Sequence, residues 1–144
     1  MHTSTAPDYE APFAATPPWS AVVFDMDGVV TDTASLHAVA WKQLFDAVLA
    51  DESLPGDIDR TPFDVVTDYR AHVDGRPRED GVRTFLNARG VVIPEGEESD
   101  DPAQVTVHGL AKRKNDCFNA ILAEDGVRVF DGTVRLIKRL REGG

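Results

Sequence analysis

The apolar positions fall into one short continuous run and four longer periodic stretches. Ala21-Val22-Val23-Phe24 is apolar without alternation, which predicts a strand buried on both faces, as in a parallel sheet. Ala34 to Ala50 reads as a helix capped by Asp32 and Thr33, with Leu36, Ala40, Leu44 and Val48 in one i,i+4 row. Trp41, Phe45 and Leu49 widen that stripe, and Pro55-Gly56 closes the segment. From Asp57 to Arg78 the pattern breaks, with short helical turns expected around Thr61 to Val66. Glu79 to Arg89 is a second helix, with Val82, Phe85 and Leu86 inward and Gly90 just past its end. Thr106 to Glu124 is a third, carrying Leu110, Cys117, Phe118, Ile121 and Leu122 on its inner face. Val127 to Phe130 is an apolar link, and Thr133 to Arg141 a last helix. A strand covered on both faces needs neighbours, and no second core strand is evident. The order reads as a βαβ crossover that stops before its next strand.

Composition narrows the class. Met1 to Ser20 holds four prolines among small and polar residues and reads as a disordered tail. The remainder, within a chain that is 42% apolar and 28% charged, is expected to fold around a core. A net charge of −10 opposes binding to nucleic acid or an anionic membrane surface. No apolar run approaches the length of a bilayer span, no secretory leader is evident, and a cytoplasmic protein is the expectation. One cysteine, Cys117, excludes an internal disulfide framework, and its place on the helical stripe marks it as a small core residue. The acidic loop Pro94 to Pro102 reads as solvated surface.

The chemistry concentrates in Phe24-Asp25-Met26-Asp27-Gly28-Val29-Val30-Thr31-Asp32-Thr33. Residues two apart on an extended chain point the same way, so Asp25 and Asp27 can converge beyond the strand, where open parallel sheets bind ligands. Gly28 lets the chain turn and bring backbone N–H groups near an anion. One carboxylate could attack phosphorus while the other handles the proton of the leaving oxygen. A dianionic phosphoryl group approaches carboxylates only with a hard cation present, which points to Mg2+. Asp-x-Asp-Gly is also a common strand-ending turn, and Asp32 with Thr33 could simply cap the helix.

The run from Asp25 to Thr33 resembles the first motif of the haloacid dehalogenase superfamily of phosphotransferases, and Asp-Gly-Val-Val-Thr-Asp-Thr is most similar to its β-phosphoglucomutase-like branch. His37 and Trp41 recur at fitting offsets. Val73 to Gly81 resembles the substrate loop of the branch's cap, and Ala111-Lys112-Arg113-Lys114-Asn115-Asp116 its later basic signature. The resemblance implies an α/β fold, mostly helical in this chain. An incomplete Rossmann-like core (21–33 and 127–144) would carry an inserted α-helical cap (34–126). It implies Asp25 as nucleophile and Asp27 as general acid/base, with Mg2+ on the Asp25 carboxylate and the Asp27 carbonyl. Gly28 belongs to the same substrate-binding set. Thr33 and His37 would sit at the hinge, Arg78 on the substrate's distal phosphate, and Lys114 and Asn115 along the closed site.

Each cap residue has a plainer reading. Arg78 could be a solvated ion pair with Glu79 and Asp80. His37 could be a surface residue. Lys114 could lie with its stem on the apolar stripe and its ammonium emerging at an edge. The superfamily also uses a Ser or Thr after the second core strand, a later Lys and a late acidic motif, none of which precedes Gly144. Asp74 stands where some mutases are basic, and Phe130-Asp131-Gly132 replaces Tyr-Pro-Gly. The expected activity is phosphoryl transfer on a sugar phosphate through an aspartyl phosphate, converting β-glucose 1-phosphate to glucose 6-phosphate. A sugar-phosphate phosphatase, in maltose or trehalose metabolism where a glycoside phosphorylase follows, is the alternative. Weak or no turnover by this chain alone is a third expectation.

Overall fold

The computed structural model describes residues 20–54 and 56–142. The expected tail up to Trp19, Pro55 and the last two glycines lie outside the described residues. Four α-helices are present among the described residues: α1 (Thr33–Leu49), α2 (Arg78–Ala88), α3 (Val107–Asp125) and α4 (Asp131–Glu142), with a π-helical turn at Tyr69–Val73. The structure is mostly helical, and its only β pairing among the described residues is two isolated bridges, Asp27 with Thr31 and Thr31 with Val129. None of these helices is long and apolar enough to cross a membrane.

α1, α2 and α3 form helices whose apolar stripes cover one another, whereas α4 has no buried residue. α1 packs on α3, and α2 packs on α3 and on the π-helical turn. Their shared core is aromatic: Phe45 lies 4.1 Å from Phe85 and 5.0 Å from Trp41, centroid to centroid, and Phe63 fits edge-on to Phe85 at 5.1 Å. All four rings are buried, and with the aliphatic residues around them they supply apolar area that offsets the chain entropy of ordering these helices. Position 81 suits glycine, because a Cβ there would stand 3.1 Å from the buried Trp41 ring of α1, tighter than ordinary contact.

Caps fix the ends. Asp32 accepts from Ser35 N–H (3.4 Å) and Ser35 Oγ (2.8 Å) at the start of α1. Thr106 Oγ1 accepts from Gly109 N–H at 3.0 Å and donates to Asp100 at 2.7 Å, so one side chain both starts α3 and pins the acidic loop. That loop is built rather than merely solvated: Lys112 donates to the carbonyls of Glu98 and Asp100, and Arg83 pairs with Glu95. At the end of α1, the Arg60 guanidinium donates to the carbonyls of Leu49, Asp51 and Leu54, capping the helix ahead of Gly56. The segment before α2 differs from the expected turns at Thr61 to Val66. It is pinned by Phe63 N–H donating to Asp46 (2.8 Å) and Lys42 donating to Phe63 C=O (3.0 Å), and the helical turns come later.

Two elements depart from the hydrophobic pattern. Ala21–Phe24 forms no strand: Val23 is 94% exposed, and no backbone hydrogen bond joins residues 21–25 to other described residues. A continuous apolar run signals two covered faces, yet the covering strands must come from elsewhere in sequence, and the described residues offer none. The second half of α3 is likewise less covered than its stripe implies. Leu110 is buried, but Cys117, Phe118 and Ile121 are only half-buried and Leu122 is exposed. Cys117 is therefore not a core residue in this structure.

Candidate active site

The site begins at the turn after Phe24. Met26 C=O accepts from the N–H groups of Val30 (3.0 Å) and Thr31 (2.9 Å) and from Thr31 Oγ1 (3.0 Å), closing a tight loop around Gly28. Gly28 has φ +76°, a conformation that strains any residue with a Cβ, which accounts for glycine there. Its amide, however, donates to Thr31 C=O at 2.7 Å. Gly28 thus makes the sharp turn expected of it, and its own donor is occupied within that turn.

Asp25 and Asp27 are both solvent-exposed on this turn. Thr33 Oγ1 donates to Asp27 Oδ1 at 3.2 Å, linking the first residue of α1 to the second carboxylate. Just before it, Asp32 holds two chain segments together. Its N–H donates to Arg128 C=O (2.8 Å) and its carboxylate pairs with the Arg128 guanidinium (2.6 Å), while Phe130 N–H donates to Val30 C=O (2.9 Å). The serine bonds and Arg128 hold the Asp32 carboxyl below its ordinary value. This clasp was not visible in sequence, because Asp32 and Arg128 are distant along the chain.

One turn into α1, His37 stacks on Phe118 of α3, centroids 4.2 Å apart and planes 9° from parallel. Its Nδ1 is 2.6 Å from Lys114 Nζ. Lys114 is 2% exposed, and its ammonium lies 5.2 Å from the Trp41 ring and 5.1 Å from Phe118. The Lys114 head therefore does not emerge at an edge; it is enclosed between two aromatic faces and an imidazole. Burial, with Arg78 nearby, lowers its pKa from 10.5 to about 8. Burial lowers His37 as well, Lys114 and Arg78 acting in the same direction and Asp27 against them. These mutual influences place Asp27, His37, Arg78 and Lys114 in one electrostatic neighbourhood.

Arg78 is exposed at the start of α2 and has no ion-pair partner among the described residues. Asp80 pairs with Arg83 instead, so the solvated-pair reading of Arg78 does not hold. Asn115 is half-buried beside Lys114. The carboxylate turn thus shares its surroundings with the His37 imidazole from α1 and with the Arg78 and Lys114 cations from α2 and α3. Such an arrangement can hold a small anion and present it to a nucleophile or a proton carrier.

For a divalent cation, the described residues supply oxygen donors of the right hardness: the exposed Asp25 carboxylate and the Asp27 carbonyl, which receives no backbone amide among the described residues. No group of three or more carboxylate, His or Cys ligands converges among them. Two oxygen donors fit Mg2+, which keeps several waters and often binds through one or two carboxylates.

Comparison with known proteins now bears on the site. The chain is 48% identical over 124 residues to β-phosphoglucomutases of Mycobacterium bovis and Mycobacterium tuberculosis, covering 86% of itself and 47% of either relative. It is 32% identical over 124 residues to an uncharacterized glycosyl hydrolase of Mycobacterium tuberculosis, covering 9% of that protein. Over 66 residues, 46% of the chain, it is 38% identical to a β-phosphoglucomutase of Bacillus subtilis, 24% of which is covered. The chain thus spans about half the length of the mycobacterial β-phosphoglucomutases it matches. Residues 19–144 match the haloacid dehalogenase-like hydrolases, and the chain belongs to that family.

Proposed function

We propose that the chain carries the nucleophile, the acid/base and the cap of a sugar-phosphate enzyme of the β-phosphoglucomutase type. The observation that carries this is the juxtaposition of the Asp25–Asp27 turn with Arg78, His37 and Lys114 from three helices, in a chain 48% identical to such mutases. On this reading 21–33 and 127–144 belong to the core and 34–126 to the cap.

The chemistry follows from the residues. An Asp25 carboxylate oxygen attacks phosphorus, the bond from phosphorus to the sugar oxygen breaks, and the Asp27 carboxyl gives that oxygen its proton. In the second half-reaction a different sugar hydroxyl attacks the phosphoryl group, Asp27 takes the hydroxyl proton, and the Asp25 carboxylate leaves. The Asp25 carboxylate and the Asp27 carbonyl would hold Mg2+, which when bound would neutralise charge on the phosphoryl oxygens. Thr33, donating to Asp27, orients its carboxyl. Arg78, with no carboxylate partner among the described residues, holds the distal phosphate. His37, Lys114 and Asn115 line the closed site, where the Lys114 ammonium favours a phosphorylated sugar over an unphosphorylated one.

The second reading is hydrolysis of the same aspartyl phosphate by water. The family's own description as hydrolases favours it. The two are separated by joining this chain to the half of the Mycobacterium tuberculosis β-phosphoglucomutase beyond the match, then supplying β-glucose 1-phosphate, a catalytic amount of bisphosphate, and Mg2+. Glucose 6-phosphate seen by phosphorus NMR marks the mutase; inorganic phosphate marks the hydrolase. Equal turnover by the wild type and Asp25→Asn would overturn both.

A further inference from the structure

The segment between the π-helical turn and α2 presents two guanidinium groups on a fixed backbone. Val73 is buried beside Gly81 of α2 and anchors its start. Arg76 N–H donates to Val73 C=O at 3.2 Å across Asp74, with φ −62° and ψ 126°, and Gly75, with φ +66°. These are the angles of a type II turn, whose third position needs a positive φ and so takes glycine. Pro77, with φ −51° and ψ 146°, then keeps the chain extended up to Arg78, the first residue of α2. Two residues of extended chain span at most about 7 Å, so Arg76 and Arg78 leave the backbone close together. Both are exposed, and neither has an ion-pair partner among the described residues, in a chain of net charge −10. Two neighbouring carboxylates are engaged elsewhere. Asp80 pairs with Arg83, and Asp74 acts on Tyr69, whose pKa is raised first by burial and then by that charge.

We infer that Arg76 is a specificity-determining residue, which joins Arg78 on the distal group of the substrate and selects a phosphate dianion there. The inference rests on the reading that Arg78 holds that phosphate. Charge sets the need for a second group. A phosphomonoester carries close to two negative charges at pH 7, and one guanidinium balances only one of them. Arg76 supplies the other from the same short loop, with its donors in a planar fork suited to phosphate oxygens. A monoanionic group in the same place, such as a sulfate ester, is balanced by Arg78 alone. The loop belongs to the site because Arg78, after the larger effect of burial, lowers the pKa of both His37 and Lys114.

The test titrates the isotope-labelled chain with glucose 6-phosphate and with glucose 6-sulfate, following the arginine Nε–H signals by NMR. The wild type should bind the phosphate more tightly, with the Arg76 and Arg78 signals both moving. Arg76→Gln should weaken phosphate binding about tenfold and sulfate binding less than about twofold. Arg78→Gln should weaken both, and Arg135→Gln, at an exposed arginine of α4, neither. All three side chains are exposed, so each variant keeps the helical circular dichroism of the wild type. Weaker binding with Arg78→Gln but not with Arg76→Gln would overturn the inference and leave the reading of Arg78 standing. Indifference to both substitutions, or no movement of either signal in the wild type, would overturn both. Equal weakening of phosphate and sulfate by Arg76→Gln would overturn the selection of a dianion, and the inference with it.

Discussion

Replacing Lys114 by methionine should stabilise the protein while removing part of its site. The wild-type ammonium is 2% exposed, faces an imidazole and two rings, and has no carboxylate partner among the described residues. Lowering its pKa from 10.5 to about 8 corresponds to a ceiling of roughly 3 kcal/mol for keeping it charged in the folded state. Relaxation and residual solvent reduce this to about 1–2 kcal/mol. Methionine has similar length and no charge, so at pH 7 the variant gains about that much. The pH dependence fixes the sign. Below about 8 the lysine is charged in both states and the full penalty applies. Between about 8 and 10.5 the unfolded chain binds more protons than the folded one, so wild-type stability rises relative to the variant. Urea unfolding of both proteins at pH 7, 8.5 and 10 should therefore show a gap that closes on raising the pH. A variant less stable than wild type at pH 7, or a gap independent of pH, would refute the placement of a desolvated, unpaired ammonium between Trp41 and Phe118.

Other outcomes follow from single contacts. Gly81→Ala sets a methyl 3.1 Å from the Trp41 ring and should cost about 1–3 kcal/mol in urea unfolding, with no effect expected from an alanine at Gly56, where space is open. Thr106→Ala removes both the cap of α3 and the anchor of Asp100, costing about 1–2 kcal/mol and speeding amide exchange in the 95–101 loop. Phe85→Ala, at the centre of the aromatic cluster, should cost about 3–5 kcal/mol in the same assay. Arg128→Gln frees the Asp32 carboxylate from its guanidinium, so the Asp32 carboxyl should titrate at a higher pH by carbon-detected NMR; an unmoved titration would show the clasp is not formed in solution.

The helices were legible because their signal is local. Leu36 through Leu49 repeats at helical spacing whatever it packs against, and Asp32 and Thr106 stand where caps are needed. The strand expected at Ala21–Phe24 does not form, since a continuous apolar run specifies covered faces but not what covers them. The candidate site divides the same way. The Asp25 to Thr33 wording is contiguous and could be recognised, and the placement of His37, Arg78 and Lys114 near it was inferred only from resemblance. What the residues could not disclose was the enclosure of the Lys114 head, because Trp41 and Phe118 close over it from different helices, or the occupation of the Gly28 amide by Thr31. Both depend on contacts set by tertiary packing. The clasp between Asp32 and Arg128 has the same origin, two segments far apart in sequence running side by side.

Whether the Asp25 side chain accepts a phosphoryl group is the question on which the functional reading turns. Borohydride reduces an acyl phosphate to an alcohol, so an enzyme quenched with it during turnover records the esterified residue. Applied to the chain joined to the second half of the mycobacterial mutase and supplied with bisphosphate and Mg2+, peptide mass spectrometry should find homoserine at position 25 and aspartate unchanged at 27. Reduction at Asp27, or none at either position while substrate is consumed, would contradict it.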